Sequence, residues 1–528
     1  MILRPLACLL LLAPAAWGGV SSERILHADS EPANWLTYSG NYAGHRYSPL
    51  RQITRENVAG LRPIWMYQMQ VEGRVETSPL VVDGIIYLTE KPFIVTALDG
   101  RTGRPLWTYR RPEIREVPSC CGQVNRGLAI LGDTLFLGTL DAHLVALDAQ
   151  TGRVRWDIVV ADWHTGHSIT AAPLVVKDKV IVGISGGDYG IRGFLDAYDP
   201  KTGQRVWRLW TVPEAGQPGS ETWGAGDAWK SGGAPTWVTG TYDPELNLLY
   251  WGTGNPGEDY NGDGRPGDNL YSDCLLAIDP DTGNVRWHFQ FTPHDLHDWD
   301  SNQVPVLIDA TVAGKPRKLV VQANRNAFYY VLDRVTGEFI AGRPYTKESW
   351  AKGLDARGRP ILEPDSDPTP EGKLTYPGLF GGTSWYSPTY SPASRLFYVM
   401  ASDDFAQVFY KRKQDYEPGV KFEGGSTRDI AGAEAFGSVR ALDPVTGALR
   451  WEFKLNAVSW CGLLSTGGGL VFGGTREGAI FALDADTGRN LWHFQAGGQV
   501  SCNPISFEVG GRQYVSFAAG NAIVVFGN

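Results

Sequence analysis

Residues 146–156 read Ala146-Leu-Asp-Ala-Gln-Thr-Gly-Arg-Val-Arg-Trp156, and this phrase decides the fold. An apolar pair precedes Asp148, then come two variable residues, Thr-Gly and, four residues after the Gly, Trp156. Asp starts a turn by accepting hydrogen bonds from backbone amides, and Gly supplies the positive φ of the turn. A strand that carries the Trp then follows. The phrase therefore predicts a β-hairpin.

The phrase recurs along the whole chain. Full copies begin at Ala97, Ala146, Ala197, Ala277, Ala441 and Ala482, a degenerate copy begins at Val331, and residues 60–65 keep only the end of one. Eight units spaced by roughly 40–50 residues are typical of a propeller or a solenoid. One Trp per unit indicates a wedge between neighbouring four-stranded blades. We therefore predict an all-β fold, an eight-bladed β-propeller with tryptophan-docking repeats, formed as a single domain by residues 20–528.

Composition agrees with this fold and excludes several function classes. The 528 residues include 64 Gly, and charged residues make up only 20%, which argues against a disordered or coiled-coil chain. The net charge is −9 and basic runs are absent from the sequence, so nucleic acid and anionic membranes are not expected as partners. An acidic surface suits a basic protein partner.

The first residues predict export. Residues 1–19 combine Arg4, a short apolar run and small residues near the end, as in a secretory signal peptide. An N-terminal anchor is the alternative. Later stretches fall short of the ~18 apolar residues of a membrane span, so we expect a periplasmic protein without one.

Export also bears on the cysteines. Removal of the signal peptide removes Cys8 and leaves five cysteines in an oxidising compartment, where some should form disulfides. By count alone, Cys461 and Cys502 can pair, which would leave Cys274 over.

Four segments interrupt the repeat. They span about 210–235, 256–272, 341–376 and 404–437. Because a propeller is a scaffold and not a function, the residues that break its period should carry the activity. The last two segments are rich in Pro, Gly and charge, and we expect them to form cap loops over one end of the ring.

The strongest chemical signal is the pair Asp298 and Asp300, within Thr292-Pro-His-Asp-Leu-His-Asp-Trp-Asp300. On an extended backbone, two side chains with one residue between them point to the same side. Two carboxylates held so close repel unless a cation lies between them or one is protonated. The pair therefore predicts a metal site that also carries a catalytic base.

Other breaks in the repeat offer suitable partners. Asp188, in Ser185-Gly-Gly-Asp188, and Asn255 are hard oxygen ligands of the kind that a calcium-like ion takes, and ring closure would bring them to Asp298. The glycines of that turn allow a close backbone approach to a ligand. The remaining candidates are Glu76, Thr170, Arg126, Arg325, Trp237, Trp385 and Trp460. The Glu76 carboxylate faces the channel or is solvated, and Thr170 offers a hydroxyl. The two arginines are fixed cations, and the three tryptophans lie outside the repeat.

Two local patterns leave alternatives open. Adjacent cysteines, Cys120 and Cys121, are at most ~3.8 Å apart at Cα, below the ~4.4 Å minimum of ordinary disulfides, which favours pairing elsewhere or free thiols. The segment from Asp259 to Gly264 resembles the start of a calcium-binding loop. Its twelfth position is Leu270 where a Glu is required, which favours a solvated turn.

Taken in order, these pieces resemble the quinoprotein alcohol dehydrogenases, the methanol and ethanol dehydrogenases that use pyrroloquinoline quinone (PQQ). The resemblance covers essentially the whole chain after the signal peptide. Its most specific marks are the repeat phrase, Cys120-Cys121 followed by Val-Asn-Arg-Gly-Leu-Ala, and Thr-Pro-His-Asp before Asp298.

The resemblance implies a role for each candidate. Cys120 and Cys121 would form a disulfide ring against one face of PQQ, and Trp237 would stack on the other face. Arg325 would bond the reactive quinone oxygens, and Asp298 matches the catalytic base. The further residues that would line the cofactor are Glu76, Arg126, Thr170, Ser185, Gly186, Gly187, Ser384, Trp385 and Trp460.

The resemblance also implies a metal bound by Asp188, Asn255 and Asp298. Asp300 occupies the position that marks lanthanide-dependent members, whereas calcium members carry an uncharged residue there. A trivalent ion has one more charge than calcium at about the same size, so a further carboxylate offsets it. Two residues depart from the pattern: Asp188 replaces the usual Glu, and Ser384 replaces a usual Asn.

The implied reaction converts a small primary alcohol to an aldehyde. Asp298 takes the alcohol proton, the metal acts as a Lewis acid, and hydride passes to PQQ. Because Cys-x-x-Cys-His does not occur in the sequence, a separate soluble cytochrome c is the expected electron acceptor. The sequence allows a homodimer and does not specify the alcohol. The rival interpretations are a calcium enzyme and a non-catalytic propeller scaffold.

Overall fold

The described part of the chain consists almost entirely of β-strands. The computed structural model describes residues 19–70, 73–91, 93–112, 114, 117–432 and 435–528. The predicted signal peptide, residues 1–19, lies outside these residues except for Gly19. One α-helix, Ser22–Leu26, occurs in the described chain. Its 3-10 helices are Ala28–Ser30, Val58–Gly60, Trp163–Thr165, Gly187–Tyr189, Ser220–Trp223 and Ala228–Ser231.

Most strands belong to antiparallel sheets that follow one another along the chain, numbered here in chain order. Sheet 1 contains Leu80–Val82, Ile85–Lys91, Ile94–Asp99 and Pro105–Arg110. Sheet 2 contains Ala129–Leu131, Thr134–Gly138, His143–Asp148 and Val154–Val159. Sheet 3 contains Leu174–Val176, Lys179–Gly183, Phe194–Tyr198 and Arg205–Trp210. Sheet 4 contains Thr241–Asp243, Leu248–Gly252, Cys274–Ile278 and Val285–Gln290.

The second half of the chain continues the series. Sheet 5 contains Val306–Val312, Lys315–Ala323, Phe328–Asp333 and Phe339–Pro344. Sheet 6 contains Thr389–Ser391, Leu396–Asp403, Phe436–Leu442 and Leu449–Leu455. Sheet 7 contains Leu464–Thr466, Leu470–Gly474, Ala479–Asp484 and Asn490–Gln495, with Tyr47–Ser48 added in parallel. Sheet 8 contains Ile505–Val509, Arg512–Ala519, Ala522–Gly527 and the early strand Arg62–Gln68.

The repeat phrase forms the hairpin that the sequence predicts. In sheet 2, the Asp148 carboxylate accepts hydrogen bonds from the backbone amides of Gln150 and Thr151. Gly152 has φ +70°, which suits Gly. The register shifts just beyond the pair of Ala146 with Trp156, so a bulge separates the turn from the ladder.

The repeat tryptophan docks on the turn of the next sheet. The Trp107 indole of sheet 1 donates to the Ala149 carbonyl of sheet 2 at 3.0 Å. Its ring covers Gly152, where an added Cβ would lie 2.5 Å from Trp107 Cε3. The same pairing of a Trp with the repeat Gly of the next sheet joins Trp65 to Gly103, Trp156 to Gly203, Trp207 to Gly283, Trp287 to Gly337 and Trp451 to Gly488. The predicted wedge between neighbouring sheets is confirmed.

The degenerate copy is compensated by another aromatic residue. Ala341 pairs with Val331 in sheet 5, at the place where other copies carry a Trp. Tyr329 of the same sheet instead donates to the Pro444 carbonyl at 3.0 Å and lies against Gly447 of sheet 6. The contact between sheets is therefore kept.

Two contacts connect the ends of the chain. Arg62–Gln68 pairs antiparallel with Ala522–Gly527, so an early strand completes the last sheet. The Trp492 indole of sheet 7 donates to the Leu61 carbonyl beside that early strand. The large clusters of buried apolar residues contain side chains from neighbouring sheets, as packed blades require.

The two long inserts form small sheets of their own. Residues 341–376 include the hairpin of Ala351–Leu354 and Pro360–Leu362. Lys373–Thr375 joins Gln407–Lys411 and Gly425–Asp429 in a three-stranded sheet. Phe409 of that sheet packs against His297, beside the Asp298 pair, at 4.9 Å between ring centroids. The inserts therefore lie against the candidate site. Within the described ranges, no helix has the length and apolar character of a membrane span.

Candidate active site

One cavity collects all the site residues that the sequence singles out. Its volume is about 320 Å³, within the range of small-molecule sites. Four of its residues, Glu76, Arg126, Thr170 and Trp237, each precede the first strand of sheets 1 to 4 in turn. The other predicted residues that line it are Cys120, Cys121, Ser185, Gly186, Gly187, Asp188, Asn255, Asp298, Asp300, Arg325, Ser384, Trp385 and Trp460.

Arginines and tryptophans form one wall of the cavity. Glu76 is 1% exposed and pairs with both Arg74 and Arg126 at 2.7 Å, so the solvated alternative for this residue is wrong. The Arg126 guanidinium lies 4.8 Å from the Trp237 ring and 5.2 Å from the Trp385 ring. This places a fixed cation beside an aromatic surface, which suits a flat ligand with carboxylates.

Cys120 and Cys121 form a disulfide between adjacent residues. The resemblance implied this bond. Ordinary disulfide geometry led instead to the expectation of free thiols or of pairing elsewhere, and that expectation is wrong. Both sulfurs lie within 4.8 Å of an Asp188 carboxylate oxygen. The other cysteines among the described residues are buried free thiols, so the Cys461–Cys502 pair that the count allowed is not formed.

The turn 185–188 positions Asp188 through its glycines. Gly186 has φ +122°, and an added Cβ would lie 2.2 Å from the Gly166 carbonyl oxygen, so only Gly fits. The 3-10 helix Gly187–Tyr189 then carries Asp188 toward the cavity. The Ser185 hydroxyl lies 2.7 Å from the hydroxyl of Thr170.

Three carboxylates converge at the site: Asp188 and Asp298 line the cavity, and Asp259 adjoins them. Oxygen atoms of Asp188, Asp259 and Asp298 lie within 4.8 Å of one another. Burial raises the pKa of Asp188 to about 6. Burial, together with the neighbouring carboxylates, holds the pKa values of Asp259 and Asp298 well above the ordinary value of an aspartate. Carboxylates held this close repel one another, and a cation among them would offset that repulsion.

Asp300 is held by a different set of contacts. Its Oδ2 pairs with Arg325. Its Oδ1 accepts hydrogen bonds from the Trp237 indole at 3.0 Å and from the backbone amide of Asn255 at 3.2 Å. Gly254 permits this, because an added Cβ would lie 2.2 Å from Asp300 Oδ1. Arg325 also lies 3.7 Å from Asp298, so it links the two aspartates that the sequence paired.

Asp259 is the main residue whose place the sequence did not reveal. Its loop was expected to be a solvated turn, yet Asp259 is 1% and Asn261 5% exposed, so that expectation is wrong for both. Asp263 alone fits it, with a side chain that is 70% exposed. The spacing of the acidic residues marked this loop as a candidate site, but no neighbouring residue in the sequence indicates that Asp259 is buried. Lys421 and Glu423 of the 404–437 insert also line the cavity without having been singled out.

The donor set fits a hard cation. Arg325 is the basic residue that pairs with the site aspartates, and it contacts Asp298 and Asp300. In the described chain, no ion pair reaches Asp188 or Asp259. Buried carboxylates without such a partner are costly, and carboxylate and amide oxygens are what calcium-like ions bind. The arrangement therefore supports a metal beside the aromatic wall.

Comparison with known proteins identifies the family. The family described as PQQ glucose/ethanol/alcohol dehydrogenase, β-propeller domain, matches residues 35–343 and 426–515. The chain belongs to the PQQ-dependent alcohol dehydrogenases. Quinoprotein alcohol dehydrogenase PedH of Pseudomonas putida is 41% identical, over 97% of this chain and 90% of the relative. The lanthanide-dependent methanol dehydrogenase of Methylacidiphilum fumariolicum is 37% identical, over 95% of this chain and 87% of the relative.

Solved structures of PQQ-dependent alcohol dehydrogenases share the fold. The quinohemoprotein alcohol dehydrogenase ADHIIG of Pseudomonas putida superposes with a TM-score of 0.92 at 35% identity, covering 97% of this chain and 83% of the other. A europium-containing methanol dehydrogenase superposes with a TM-score of 0.90 at 33% identity, covering 96% of this chain and 100% of the other. The predictions of an all-β propeller and of a PQQ-dependent alcohol dehydrogenase are confirmed.

Proposed function

We propose that this enzyme oxidises a small primary alcohol to an aldehyde at a PQQ molecule bound beside a metal ion. The observation that carries the proposal is the convergence, in one cavity, of the disulfide, the aromatic and arginine wall and the buried carboxylates. A flat quinone with carboxylates would be held between Trp237 and the Cys120–Cys121 ring, which line the same cavity, with Arg126 nearby for its charge. The other residues proposed to hold it are Glu76, Thr170, Ser185, Gly186, Gly187, Arg325, Ser384, Trp385 and Trp460.

Asp298 is the proposed catalytic base. When bound, PQQ supplies the acceptor for the hydride of the alcohol carbon, and the metal supplies Lewis acidity. Asp298 takes the proton of the alcohol hydroxyl as a general base. Arg325, 3.7 Å from Asp298, orients that carboxylate.

The proposed metal is a lanthanide ion held by Asp188, Asn255, Asp298 and Asp300. Calcium is the alternative. The support is the number of acidic groups: Asp300 adds a buried carboxylate beside the three that converge, and extra negative charge favours a trivalent ion. The name of the methanol dehydrogenase from Methylacidiphilum fumariolicum, lanthanide-dependent, is consistent with this choice.

We further propose a periplasmic enzyme, exported through residues 1–19, that passes electrons to a soluble cytochrome c and can form a homodimer. Its single domain, residues 20–528, would be an eight-bladed ring. Support comes from the docking contacts, which run from each sheet to the next and return from sheet 8 to sheet 1 through Trp65 and the Gly100 carbonyl. The acidic net charge of −9 suits a basic electron acceptor.

Reconstitution of the apoprotein tests the function and the metal together. Apoprotein is supplied with PQQ and either Ca²⁺ or La³⁺, and ethanol-dependent reduction of a dye is followed. We expect activity with La³⁺, and its loss in Asp300→Ala. Activity with Ca²⁺ that is unchanged in Asp300→Ala would contradict the lanthanide assignment. The absence of both PQQ binding and activity with either ion would contradict the function itself.

A further inference from the structure

We propose that Asp259 is a direct ligand of the metal in this enzyme, supplying a carboxylate from the 256–272 loop. The inference rests on the proposed metal site and adds to it a residue outside the predicted ligand set. Asp259 offers an oxygen within 4.8 Å of oxygens of both Asp188 and Asp298. One ion can contact all three, because ligand oxygens around a cation of calcium's size lie ~2.3–2.6 Å from it.

The loop around Asp259 is fixed on two sides. The Asn255 side-chain amide donates to Asp259 Oδ1 at 2.8 Å, which leaves the carbonyl oxygen of that amide for a cation. The Tyr260 amide donates to the Glu423 carbonyl at 2.9 Å, so the 404–437 insert holds the next residue in place. Asp259 itself is 1% exposed. Its position is therefore set by the fold rather than by solvent.

The charges near Asp259 call for a cation. In the described chain, its carboxylate accepts a hydrogen bond from a neutral amide but has no ion pair. Arg325 pairs with Asp300 and approaches Asp298, and among the described residues it has no ion pair with Asp259. A neutral amide does not offset the repulsion between buried carboxylates, whereas a shared metal ion does.

Asp263, four residues further along, provides a matched control. It belongs to the same acidic loop, but its side chain is 70% exposed and pairs with Lys411 at 3.0 Å. It does not belong to the cluster that Asp259 forms with Asp188 and Asp298. Asp263→Ala therefore removes one carboxylate from the same loop without touching the site.

Europium luminescence measures the proposed ligand directly. Apoprotein with PQQ is titrated with Eu³⁺, and luminescence lifetimes in H₂O and D₂O give the number of water molecules on the ion. Because water replaces a lost carboxylate, Asp259→Ala, which leaves no side-chain oxygen, should add about one water and weaken Eu³⁺ binding at least about tenfold. Asp263→Ala should match the wild type in both measurements. Unchanged water number and affinity in Asp259→Ala would overturn the inference and leave the proposed function standing.

Thermal unfolding separates a ligand from a structural residue. Removing one of three mutually repelling carboxylates should leave the metal-free protein at least as stable as the wild type, and the rise in Tm on adding Eu³⁺ and PQQ should be smaller. Asp259→Ser is a second variant with the same expectation. If both metal-free variants unfold at clearly lower temperature, Asp259 has a structural role and the inference is wrong. If the wild type binds no Eu³⁺ in the presence of PQQ, the proposed site fails, and the inference with it.

Discussion

At the residue scale, Asp298 connects the buried acidic cluster to the chemistry. Asp298→Asn keeps the size of the side chain and removes its ability to accept the alcohol proton. We expect kcat to fall about 10²–10⁴-fold, while PQQ still binds, as its absorbance in the dialysed protein would report. Asp263→Asn should retain full activity. Activity of Asp298→Asn within a few-fold of the wild type would contradict the assignment of the base.

The disulfide between Cys120 and Cys121 should matter for binding and not for folding. A bond between adjacent residues closes almost no loop, so it removes little entropy from the unfolded chain. The double substitution of both cysteines by Ser should leave the Tm of the metal-free protein unchanged within about 1 °C. Its affinity for PQQ should fall measurably. A large loss of Tm with unchanged PQQ affinity would assign the bond a structural role instead.

His167 should make the stability depend on pH. Burial, helped by the charge of Arg208 and opposed by Asp162, lowers its pKa to about 4 from the ordinary 6.5. Between pH 6.5 and pH 4, His167 therefore binds a proton in the unfolded chain but not in the folded protein. The free energy of unfolding falls as the pH drops through this range. The full loss is at most about 3 kcal/mol. His167→Gln should show a shallower decline of Tm between pH 7 and pH 5, and an unchanged decline would contradict this account.

At the scale of elements, the contact between Trp107 and Gly152 represents the repeat. Gly152→Ala places a methyl group at φ +70° and 2.5 Å from the indole, whereas Gly497→Ala meets a similar φ of +77° with open space around it. Both variants carry the backbone strain of about 1–3 kcal/mol, and Gly152→Ala adds about 1–3 kcal/mol of overpacking. Its Tm should therefore be the lower of the two. Equal Tm values would show that docking on the Trp contributes nothing.

The same elements show what the sequence predicts well. The phrase specifies a hairpin because Asp, Gly and Trp each act within a few residues, and the structure has this hairpin at residues 146–156. Tyr329, which replaces the missing Trp of sheet 5, was not foreseen, because its contact with Gly447 spans more than 100 residues. Local chemistry is readable in the sequence, but the choice of a distant partner is not.

The site follows the same division. Asp298 and Asp300 were predicted to share a site because an extended backbone would point both side chains to one side. The cavity contains both, although Asp298 has φ +56° and is not extended. The vicinal disulfide came only from the resemblance, since ordinary bond geometry argued against it. The burial of Asp259 was missed because the 404–437 insert, about 160 residues away, holds the loop that carries it.

At the scale of the whole molecule, closure of the ring brings the site together. Arg62–Gln68 pairs with Ala522–Gly527, across more than 450 residues, and the cavity residues come from loops distributed around the sheets in between. Glu76 and Trp460 line the same cavity although almost the whole series of sheets separates them along the chain. The function therefore belongs to the assembled ring and not to any single repeat.

The central claim is that PQQ and a metal ion occupy this cavity together. A crystal structure of the protein grown with PQQ and La³⁺, with data collected for the anomalous signal of lanthanum, tests it most directly. We expect one anomalous peak within ~2.3–2.6 Å of oxygens from Asp188, Asn255, Asp298 and Asp300, and flat PQQ density between Trp237 and the Cys120–Cys121 disulfide. A cavity without PQQ density, or a lanthanum peak bound only elsewhere on the protein, would contradict the account.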